Sequence, residues 1–341
     1  RMRLAINGFG RIGRLVLRAA WDHPDVEIVA VNDIGELNCM AYLLKYDTVH
    51  GRFPHPIKAE GNSLFVGNRE IKALGEKDPA KLPWKDLKVD VVVEATGIFR
   101  KREQISAHLT AGAKRVILTV PSKDKTDVDA TVVYGLNHKT LKAEHRLLSN
   151  ASCTTNCLGP VVKVLHDTFG VVEGLMTTIH SYTNDQQILD LAHKDYRRAR
   201  AAAVNMIPTS TGAAKAIGLV IPELAGKMNG SAIRVPVMDG SLVDLVVTLK
   251  KEVSIAEVNE AMRKAADGEL KGVLEYTEDP IVSSDVIHSN ASAIFDAQCT
   301  MLVDPKVKSK VVKVFAWYDN EWGYACRVVD LARYLGKNFK D

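Results

Sequence analysis

The 341 residues of this chain are enough for two domains, each with a core of its own. A hydrophobic share of 46% and a charged share of 25% are those of an ordinary globular protein, and they exclude a disordered or fibrous chain. The net charge of +4 comes from Lys and Arg residues interspersed with acids, so a nucleic acid is not indicated as the main partner.

Membrane and metal partners are not expected either. No apolar run reaches the ~18 residues of a membrane span, and the N-terminal residues lack the pattern of a signal peptide. Five cysteines, at positions 39, 153, 157, 299 and 326, have neither the spacing of a disulfide framework nor that of a zinc site. We therefore expect a cytoplasmic protein without a bound metal.

The first elements have the pattern of a dinucleotide-binding unit. A strand at 3–7, a turn at 8–13, a helix at 14–21 and a second strand at 27–32 follow one another. The turn carries Gly8, Gly10 and Gly13, which permit a tight bend and close approach of a pyrophosphate to a helix N-terminus. Asp33 follows the second strand, where a carboxylate binds ribose hydroxyls and repels the extra phosphate of NADP. The pattern predicts an NAD site, the alternative being a glycine-rich turn in an unrelated α/β unit.

Further βα units extend this domain. Strands are predicted at 89–96, 115–119 and 130–135, with a helix at 102–111 and a β-rich excursion at 49–72. We expect one doubly wound α/β domain with a parallel sheet over residues 1–149.

Cys153 lies in the segment Ser149–Cys157, between a short apolar strand and a helical pattern that runs from Leu158 to about Phe169. Unpaired N–H groups and the helix dipole favour negative charge at such a turn, so we expect the thiol to be biased toward thiolate. The alternative is a small buried cysteine beside a polar helix cap.

His180 ends a predicted strand at 174–180, 27 positions after Cys153, and an intervening helix would bring the two side chains together. An imidazole can take the thiol proton, or as imidazolium stabilise the thiolate. The segment from Ser181 to Ala203 has no clear period, and we expect a long, ordered, functional loop.

The remaining elements indicate an α+β domain with a mostly antiparallel sheet over residues 150–317. A helix is expected at 213–220, where the preceding 209–212 segment would offer N–H groups to an anion, although plain helix capping is an equal alternative. Another helix, opened by Ser254, is expected at 257–266. A final helix at 324–337 lies in a segment, 318–341, expected to pack back on the first domain. Strands are predicted at 231–235, 242–250, 282–287, 293–296 and 311–317.

Several segments together resemble the phosphorylating glyceraldehyde-3-phosphate dehydrogenase family, and they cover almost the whole chain. The resemblance is carried by INGFGRIGR, LLKYDTVHG, SNASCTTNC, HSYTNDQ, HKDYRRARAAA, PTSTGAAKA, RVP and WYDNEWGY. It implies a Rossmann NAD domain, a catalytic domain, and a homotetramer in which the long loop packs beside a neighbouring subunit's cofactor.

The family's chemistry implies roles for individual residues. Cys153 would add to the aldehyde of glyceraldehyde 3-phosphate as a hemithioacetal, His180 would act as base, and the resulting thioester would be attacked by inorganic phosphate to give 1,3-bisphosphoglycerate. One anion site would comprise Thr183, Arg198 and Arg234, and the other Ser152, Thr154, Thr211 and Gly212. Cofactor contacts would come from Gly8, Gly10, Arg11, Ile12, Gly13, Asp33, Lys77, Thr119 and, for the nicotinamide amide, Asn320.

Some positions depart from the family pattern. Leu191-Ala192 replaces a Leu-Pro pair common in strictly NAD-using members, which leaves NADP open as a weaker or second cofactor. Asp185-Gln186-Gln187 resembles relatives that oxidise erythrose 4-phosphate, although Thr183 and the STGAAK stretch favour glyceraldehyde 3-phosphate. Binding of RNA or a partner enzyme without catalysis, and acyl-phosphate reduction on the same architecture, are the remaining alternatives.

Overall fold

A computed structural model describes residues 1–339 of the chain. These residues divide into two compact units: residues 1–152 with the segment from 325 onward, and residues 153–324. The predicted domains, 1–149 with 318–341 and 150–317, differ from these units by a few residues at each limit and stay a prediction. Residues 340 and 341 of that predicted segment lie outside the described residues.

The first unit contains a nine-stranded sheet in the order β10-β11-β9-β8-β1-β2-β7-β6-β5. Neighbouring strands from β10 to β7 in this order are parallel, and β6 and β5 extend the edge as an antiparallel pair. The doubly wound parallel sheet predicted from the sequence is therefore confirmed. The strands are β1 (Met2–Asn7), β2 (Val26–Asn32), β5 (Ile57–Glu60), β6 (Ser63–Val66), β7 (Arg69–Leu74), β8 (Val91–Glu94), β9 (Arg115–Leu118), β10 (Ala130–Thr131) and β11 (Leu147–Ser149), with β3 (Tyr46–Asp47) and β4 (Gly51–Arg52) in a separate hairpin.

The helices of this unit are α1 (Arg11–Ala20), α2 (Leu37–Lys45) and α3 (Arg102–Thr110). α1 begins three positions before the predicted start at Arg14, since the glycine turn leads directly into the helix. α2 was not predicted from the sequence. Its first turn is capped by the carboxylate of Glu36, which accepts hydrogen bonds from the N–H groups of Asn38 and Cys39.

The last helix, α7 (Trp322–Asn338), confirms the helix predicted at 324–337. From residue 325 onward it belongs to the first unit, where Arg333 Nε lies 2.9 Å from a carboxylate oxygen of Asp25. Gly336 lies against β1, and a Cβ at that position would lie 2.7 Å from Met2 Cγ. The chain therefore completes its first unit with its final helix.

The second unit is built on a seven-stranded sheet in the order β13-β14-β12-β15-β18-β17-β16. Only β14-β12 and β17-β16 are parallel pairs, which confirms a mostly antiparallel sheet. Its helices are α4 (Cys153–Phe169), α5 (Ile217–Val220) and α6 (Ile255–Asp267). Its strands are β12 (Val171–Ser181), β13 (Ile207–Ser210), β14 (Met228–Val235), β15 (Ser241–Val253), β16 (Leu274–Thr277), β17 (Ala293–Asp296) and β18 (Ser309–Tyr318).

Two predicted elements of this unit are wrong. The segment 213–216 forms turns, so the helix predicted at 213–220 is reduced to α5, and the residues before it pair as β13 instead of opening a long helix. The strand predicted at 282–287 is a short 3-10 helix, Ser283–Val286, whose Asp285 accepts a hydrogen bond from the Val282 N–H. The helix opened by Ser254 is confirmed, with its capping box to Glu257.

Strand directions gather several chain ends at one edge of this second sheet. β12 and β14 are parallel and end together, with His180 paired to Arg234. β15 is antiparallel to β12 and to β18, so β15 begins, at Ser241, where β12 and β18 end. Polar side chains from four strands therefore meet at this edge. Within residues 1–339, no helix combines the length and the apolar character that a membrane span requires.

Candidate active site

Cys153 and His180 meet within the second unit. Cys153 is the first residue of α4, five positions before the apolar pattern that the sequence shows, and His180 is the penultimate residue of β12. Cys153 Sγ lies 3.6 Å from His180 Nε2. The structure thus brings together the two side chains that the sequence predicts as nucleophile and base.

A main-chain atom fixes the tautomer of His180. The ring Nδ1 lies 2.7 Å from the carbonyl oxygen of Ser181, and a carbonyl can only accept, so Nδ1 carries the proton. In the neutral imidazole Nε2 is then the unprotonated nitrogen, and it is the atom that faces the thiol. The ring is therefore set to accept the proton of Cys153.

Burial favours the neutral form of both Cys153 and His180. It raises the pKa of the Cys153 thiol to about 11, although hydrogen bonds from Thr154 and the positive charge of Arg234 favour the thiolate. It lowers the pKa of His180 to about 4, against the hydrogen bond to Ser181. The helix start predicted for Cys153 is confirmed, whereas the thiolate bias expected from that position is wrong because desolvation outweighs it. The thiol needs the imidazole to lose its proton.

Tyr318, the last residue of β18, contacts His180 and the residue that follows Cys153. Its buried hydroxyl lies 2.7 Å from Thr154 Oγ1 and 2.8 Å from Thr178 Oγ1, and its ring packs edge-on to His180 at 6.0 Å between centroids. Burial raises the pKa of Tyr318, so the hydroxyl stays protonated and keeps both contacts. The start of α4 and the end of β12 are joined through this one side chain.

The first predicted anion set is gathered beside His180. Arg234 donates from Nη1 to Thr183 Oγ1 at 2.8 Å, and Arg198 donates from Nε to Thr209 Oγ1 at 2.9 Å. Burial, followed by the positive charge of Arg198, lowers the pKa of Arg234, so the two guanidinium groups lie near enough to repel each other. The guanidinium groups of Arg198 and Arg234, both partly buried, can together with the Thr183 hydroxyl bind a phosphate. Asp185, which sequence reasoning did not select, accepts a hydrogen bond from Arg198.

The second predicted anion set is only partly gathered. Thr154 is buried, its hydroxyl lies 2.7 Å from the Tyr318 hydroxyl, and its main chain hydrogen-bonds to the Cys153 sulfur. Thr155 donates to the Ala213 carbonyl at 3.1 Å and ties the turn that carries Thr211 and Gly212 to α4. A Cβ at Gly212 would meet no atom within 4 Å, so this turn is open. Ser152, the fourth member, belongs to the first unit.

The glycine turn before α1 fits a dinucleotide. Gly8 has φ +92°, and a Cβ there would lie 2.6 Å from Thr96 N, while a Cβ at Gly13 would lie 2.0 Å from the Gly8 carbonyl oxygen. Both positions therefore require glycine. A Cβ at Gly10 would project into open space, where α1 starts without a side-chain cap. The uncapped N–H groups of this turn suit a pyrophosphate.

The other predicted cofactor residues differ in whether their side chains are free of contacts within the protein. Asp33 accepts hydrogen bonds from Phe9 N at 2.7 Å and Gly35 N at 2.8 Å, which orients its carboxylate beside the glycine turn. Arg11 donates to the Asp47 carboxylate from Nη1 at 2.9 Å and from Nη2 at 3.2 Å, so its side chain is already engaged. Burial opposes the ionisation of Asp47, but the hydrogen bond from Arg11 and those from the main chain hold its pKa at about 2. The last three are Ile12, half-buried in α1; Lys77, exposed; and Thr119, buried with its hydroxyl on the Glu94 carbonyl at 3.3 Å.

Asn320, in the second unit, lies just beyond β18. Its Oδ1 accepts from Gly240 N at 3.2 Å and lies 2.8 Å from Ser241 Oγ and 3.0 Å from Ser181 Oγ. Ser181, Ser241 and Tyr318 were not selected by sequence reasoning. The only signal available was their position at predicted strand ends, which does not separate them from many other residues.

A glycine turn shaped for a dinucleotide and a thiol–imidazole pair beside two guanidinium groups define a class, a cysteine-dependent dehydrogenase. Comparisons with known proteins agree with that class. Residues 2–102 match the family model described as the NAD binding domain of glyceraldehyde 3-phosphate dehydrogenase, and residues 152–320 match the model of its C-terminal domain.

Curated relatives extend the likeness over nearly the whole chain. The chain is 56% identical over 335 residues to "Glyceraldehyde-3-phosphate dehydrogenase" of Geobacillus stearothermophilus, covering 98% of each chain. It is 57% identical over 334 residues to "Glyceraldehyde-3-phosphate dehydrogenase 1" of Bacillus cereus, again with 98% of each covered. With the protein of Thermotoga maritima it shares 56% over 337 residues, which is 98% of this chain and 99% of the relative.

This chain belongs to the glyceraldehyde 3-phosphate dehydrogenase family. It is an oxidoreductase, its first domain is an NAD-binding domain, and NAD is its cofactor.

Proposed function

We propose that this protein oxidises D-glyceraldehyde 3-phosphate with NAD and inorganic phosphate, and releases 1,3-bisphosphoglycerate. The observation that carries the proposal is the 3.6 Å contact between Cys153 Sγ and the unprotonated Nε2 of His180. The names of the relatives support the choice of the sugar phosphate over erythrose 4-phosphate and over an acyl phosphate.

The thiol and the imidazole act together in the first step. Sγ forms a bond to the aldehyde carbon while the thiol proton passes to His180 Nε2. The protonated ring then gives this proton to the former carbonyl oxygen, which completes the hemithioacetal and leaves His180 neutral again. His180 then accepts that hydroxyl proton as the carbon is oxidised to a thioester. A neutral ring suits both steps, since a base must begin without the proton that it receives.

The cationic groups hold the phosphates. Arg234, Thr183 and Arg198 would bind one phosphate, and the open turn at Thr211 and Gly212, with the start of α4, would bind the other. Attack of inorganic phosphate on the thioester carbon breaks the C–S bond and returns the thiol. Two separate sites allow the sugar phosphate and the attacking phosphate to be held at once.

The first unit would hold the cofactor. Gly8, Gly10 and Gly13 would admit the pyrophosphate, and Asp33 would accept from ribose hydroxyls. Asn320, a residue of the second unit, would bind the nicotinamide amide. Arg11 and Ile12 would contribute main-chain N–H groups, and Lys77 and Thr119 would lie at the margins of the site. When bound, NAD accepts the hydride that leaves the substrate carbon.

The test is reduction of NAD at 340 nm with glyceraldehyde 3-phosphate, with and without phosphate. Cys153→Ser should lower kcat at least 10³-fold, because a serine hydroxyl beside the same base is a far weaker nucleophile. Cys157→Ser is the matched control, since Cys157 is a fully buried cysteine one turn further along α4. If the Cys153→Ser variant kept phosphate-dependent activity, the proposed mechanism would be wrong. NADP and erythrose 4-phosphate, measured in parallel, test the specificity.

A homotetramer and a cytoplasmic location complete the proposal. The loop at 182–206 presents apolar side chains to solvent, among them Ile188, which is 88% exposed, and Tyr196, which is 86% exposed. Several large apolar side chains exposed on one loop are typical of an interface with another chain.

A further inference from the structure

Three donors converge on a single oxygen at the edge of the second sheet. Asn320 Oδ1 accepts from the N–H of Gly240, and the hydroxyls of Ser181 and Ser241 point at the same atom, at 3.0 and 2.8 Å. Both serines are essentially fully buried, and Asn320 is 7% exposed. Leaving any of these buried polar groups without a hydrogen bond would cost free energy, so the hydrogen bonds hold the cluster in one arrangement.

The main-chain donor decides which way the Asn320 amide faces. A peptide N–H can only donate, so the atom 3.2 Å from Gly240 N must be the oxygen and not the nitrogen of the amide. The Nδ2 group therefore points away from this cluster. Among residues 1–339 it has no hydrogen-bond partner in the protein.

Ser181 also connects this cluster to the catalytic base. Its carbonyl oxygen accepts from His180 Nδ1 at 2.7 Å, its N–H donates to Ser241 Oγ at 3.1 Å, and its hydroxyl lies on Asn320. One residue thus holds the ring of His180 with its main chain and the amide of Asn320 with its side chain.

We propose that Ser181 and Ser241 are positioning residues for the cofactor. By occupying Asn320 Oδ1 they present the Asn320 Nδ2–H₂ group as a donor to the carboxamide carbonyl of nicotinamide. This inference rests on the proposed function, since it assigns Asn320 to the nicotinamide. It predicts that the two serine hydroxyls affect recognition of the nicotinamide end of NAD and leave the ADP-ribose end unaffected.

The experiment compares two ligands, NAD and ADP-ribose, by calorimetry on the purified full chain. ADP-ribose keeps every part of NAD except the nicotinamide. Ser181→Ala and Ser241→Ala should each raise the Kd for NAD about fivefold, and the double variant more than tenfold, because each change removes one of the three donors that hold Asn320 Oδ1 in place. The Kd for ADP-ribose should change less than twofold.

Ser292→Ala is the matched control. Ser292 is a serine of the same unit, 4% exposed, whose hydroxyl has no partner within residues 1–339. It should leave both Kd values as in the unchanged protein. If burial of a serine hydroxyl alone mattered, this variant would behave like the other two.

A double-mutant cycle separates positioning from general support. In an Asn320→Ala background no amide remains to be oriented, so adding Ser241→Ala should cost no further NAD affinity. An additional fivefold loss there would overturn the proposal. The proposal would also be overturned if the variants bound NAD and ADP-ribose with equally weakened affinity, or if both single variants kept the NAD affinity of the unchanged protein. The single variants suffice for this test if the double variant fails to fold.

Failure of the proposed function looks different. If the unchanged protein binds NAD no more tightly than ADP-ribose, and does not reduce it with glyceraldehyde 3-phosphate and phosphate, then the assignment of the site is wrong. If the unchanged protein is active and the serine variants bind NAD as tightly as it does, the positioning role alone is wrong.

Discussion

His180 determines how Cys153 reacts, because burial alone would keep the thiol protonated. The pKa of Cys153 is raised to about 11, and its place at the start of α4 does not overcome the desolvation. Transfer of the proton to Nε2 makes two opposite charges 3.6 Å apart, whose attraction is several kcal/mol at an effective dielectric constant of about 20. The imidazole therefore lowers the cost of forming the thiolate.

Alkylation of Cys153 by iodoacetamide tests this dependence. In the unchanged protein the rate should hold down to about pH 5 and fall below that, since the imidazole accepts a proton only above its pKa of about 4. His180→Asn should slow alkylation at pH 7 at least tenfold, with a rate that keeps rising toward the raised pKa of the thiol, about 11.

The control for this prediction is His166→Asn, near the far end of α4. It should leave the pH profile of alkylation unchanged. Equal rates for His180→Asn and the unchanged protein at pH 7 would show that the thiolate forms without the imidazole.

Among the elements, those with strong local signals were predicted well. The glycine turn, α1 and β2 follow from steric requirements at Gly8 and Gly13, which the spacing of the sequence already contains. α6 follows from its capping box. The errors at 213–220 and 282–287 have another cause. At 282–287 the Asp285 carboxylate accepts a hydrogen bond from the Val282 N–H, and a 3-10 helix forms in place of a strand. Residues 207–210, just ahead of the helix predicted at 213–220, pair with β14, a partner that lies outside a short sequence window.

The residues of the candidate site also differ in how well the sequence predicted them. Cys153 and His180 were identified from their residue types and spacing, whereas Thr183 and Arg234 came from the resemblance to the family. In the structure Cys153 contacts His180, and Arg234 contacts Thr183, within one unit. The role of Tyr318 depends on which strand lies beside which, and so it could not be derived from a single sequence. Burial was also hidden, so the protonation of Cys153 was mispredicted.

At the turn before β8, Lys88 adopts φ +51°, in the left-handed region, while its side chain is exposed. A Cβ in that region costs about 1 kcal/mol, so Lys88→Gly should raise the free energy of unfolding by about 0.5–1 kcal/mol. Urea denaturation measures the change. Lys139→Gly is the control, an exposed lysine in a 3-10 helix that should lose stability. A loss of similar size in both variants would contradict the prediction.

For the whole molecule, the exposed apolar loop at 182–206 is the feature that a single chain leaves unexplained. Ile188→Asp should shift the proposed tetramer toward smaller species in sedimentation velocity, because each buried isoleucine contributes about 1.5–3 kcal/mol to an interface. The control is Ile34→Asp, which places the same charge at an exposed isoleucine of the first unit. A tetramer that survives Ile188→Asp unchanged would place the interface elsewhere.

The final helix also sets the order in which the protein can mature on the ribosome. Arg333 and Asp25 are 308 positions apart, so the residues of the first unit that emerge first wait until Arg333 has been synthesised before that contact can form. At synthesis rates of ~5–20 residues per second the delay is about 15–60 s. Meanwhile residues 153–324, continuous in the chain, can assemble as they appear, and a chain truncated before residue 325 would leave the nucleotide-binding unit unfinished.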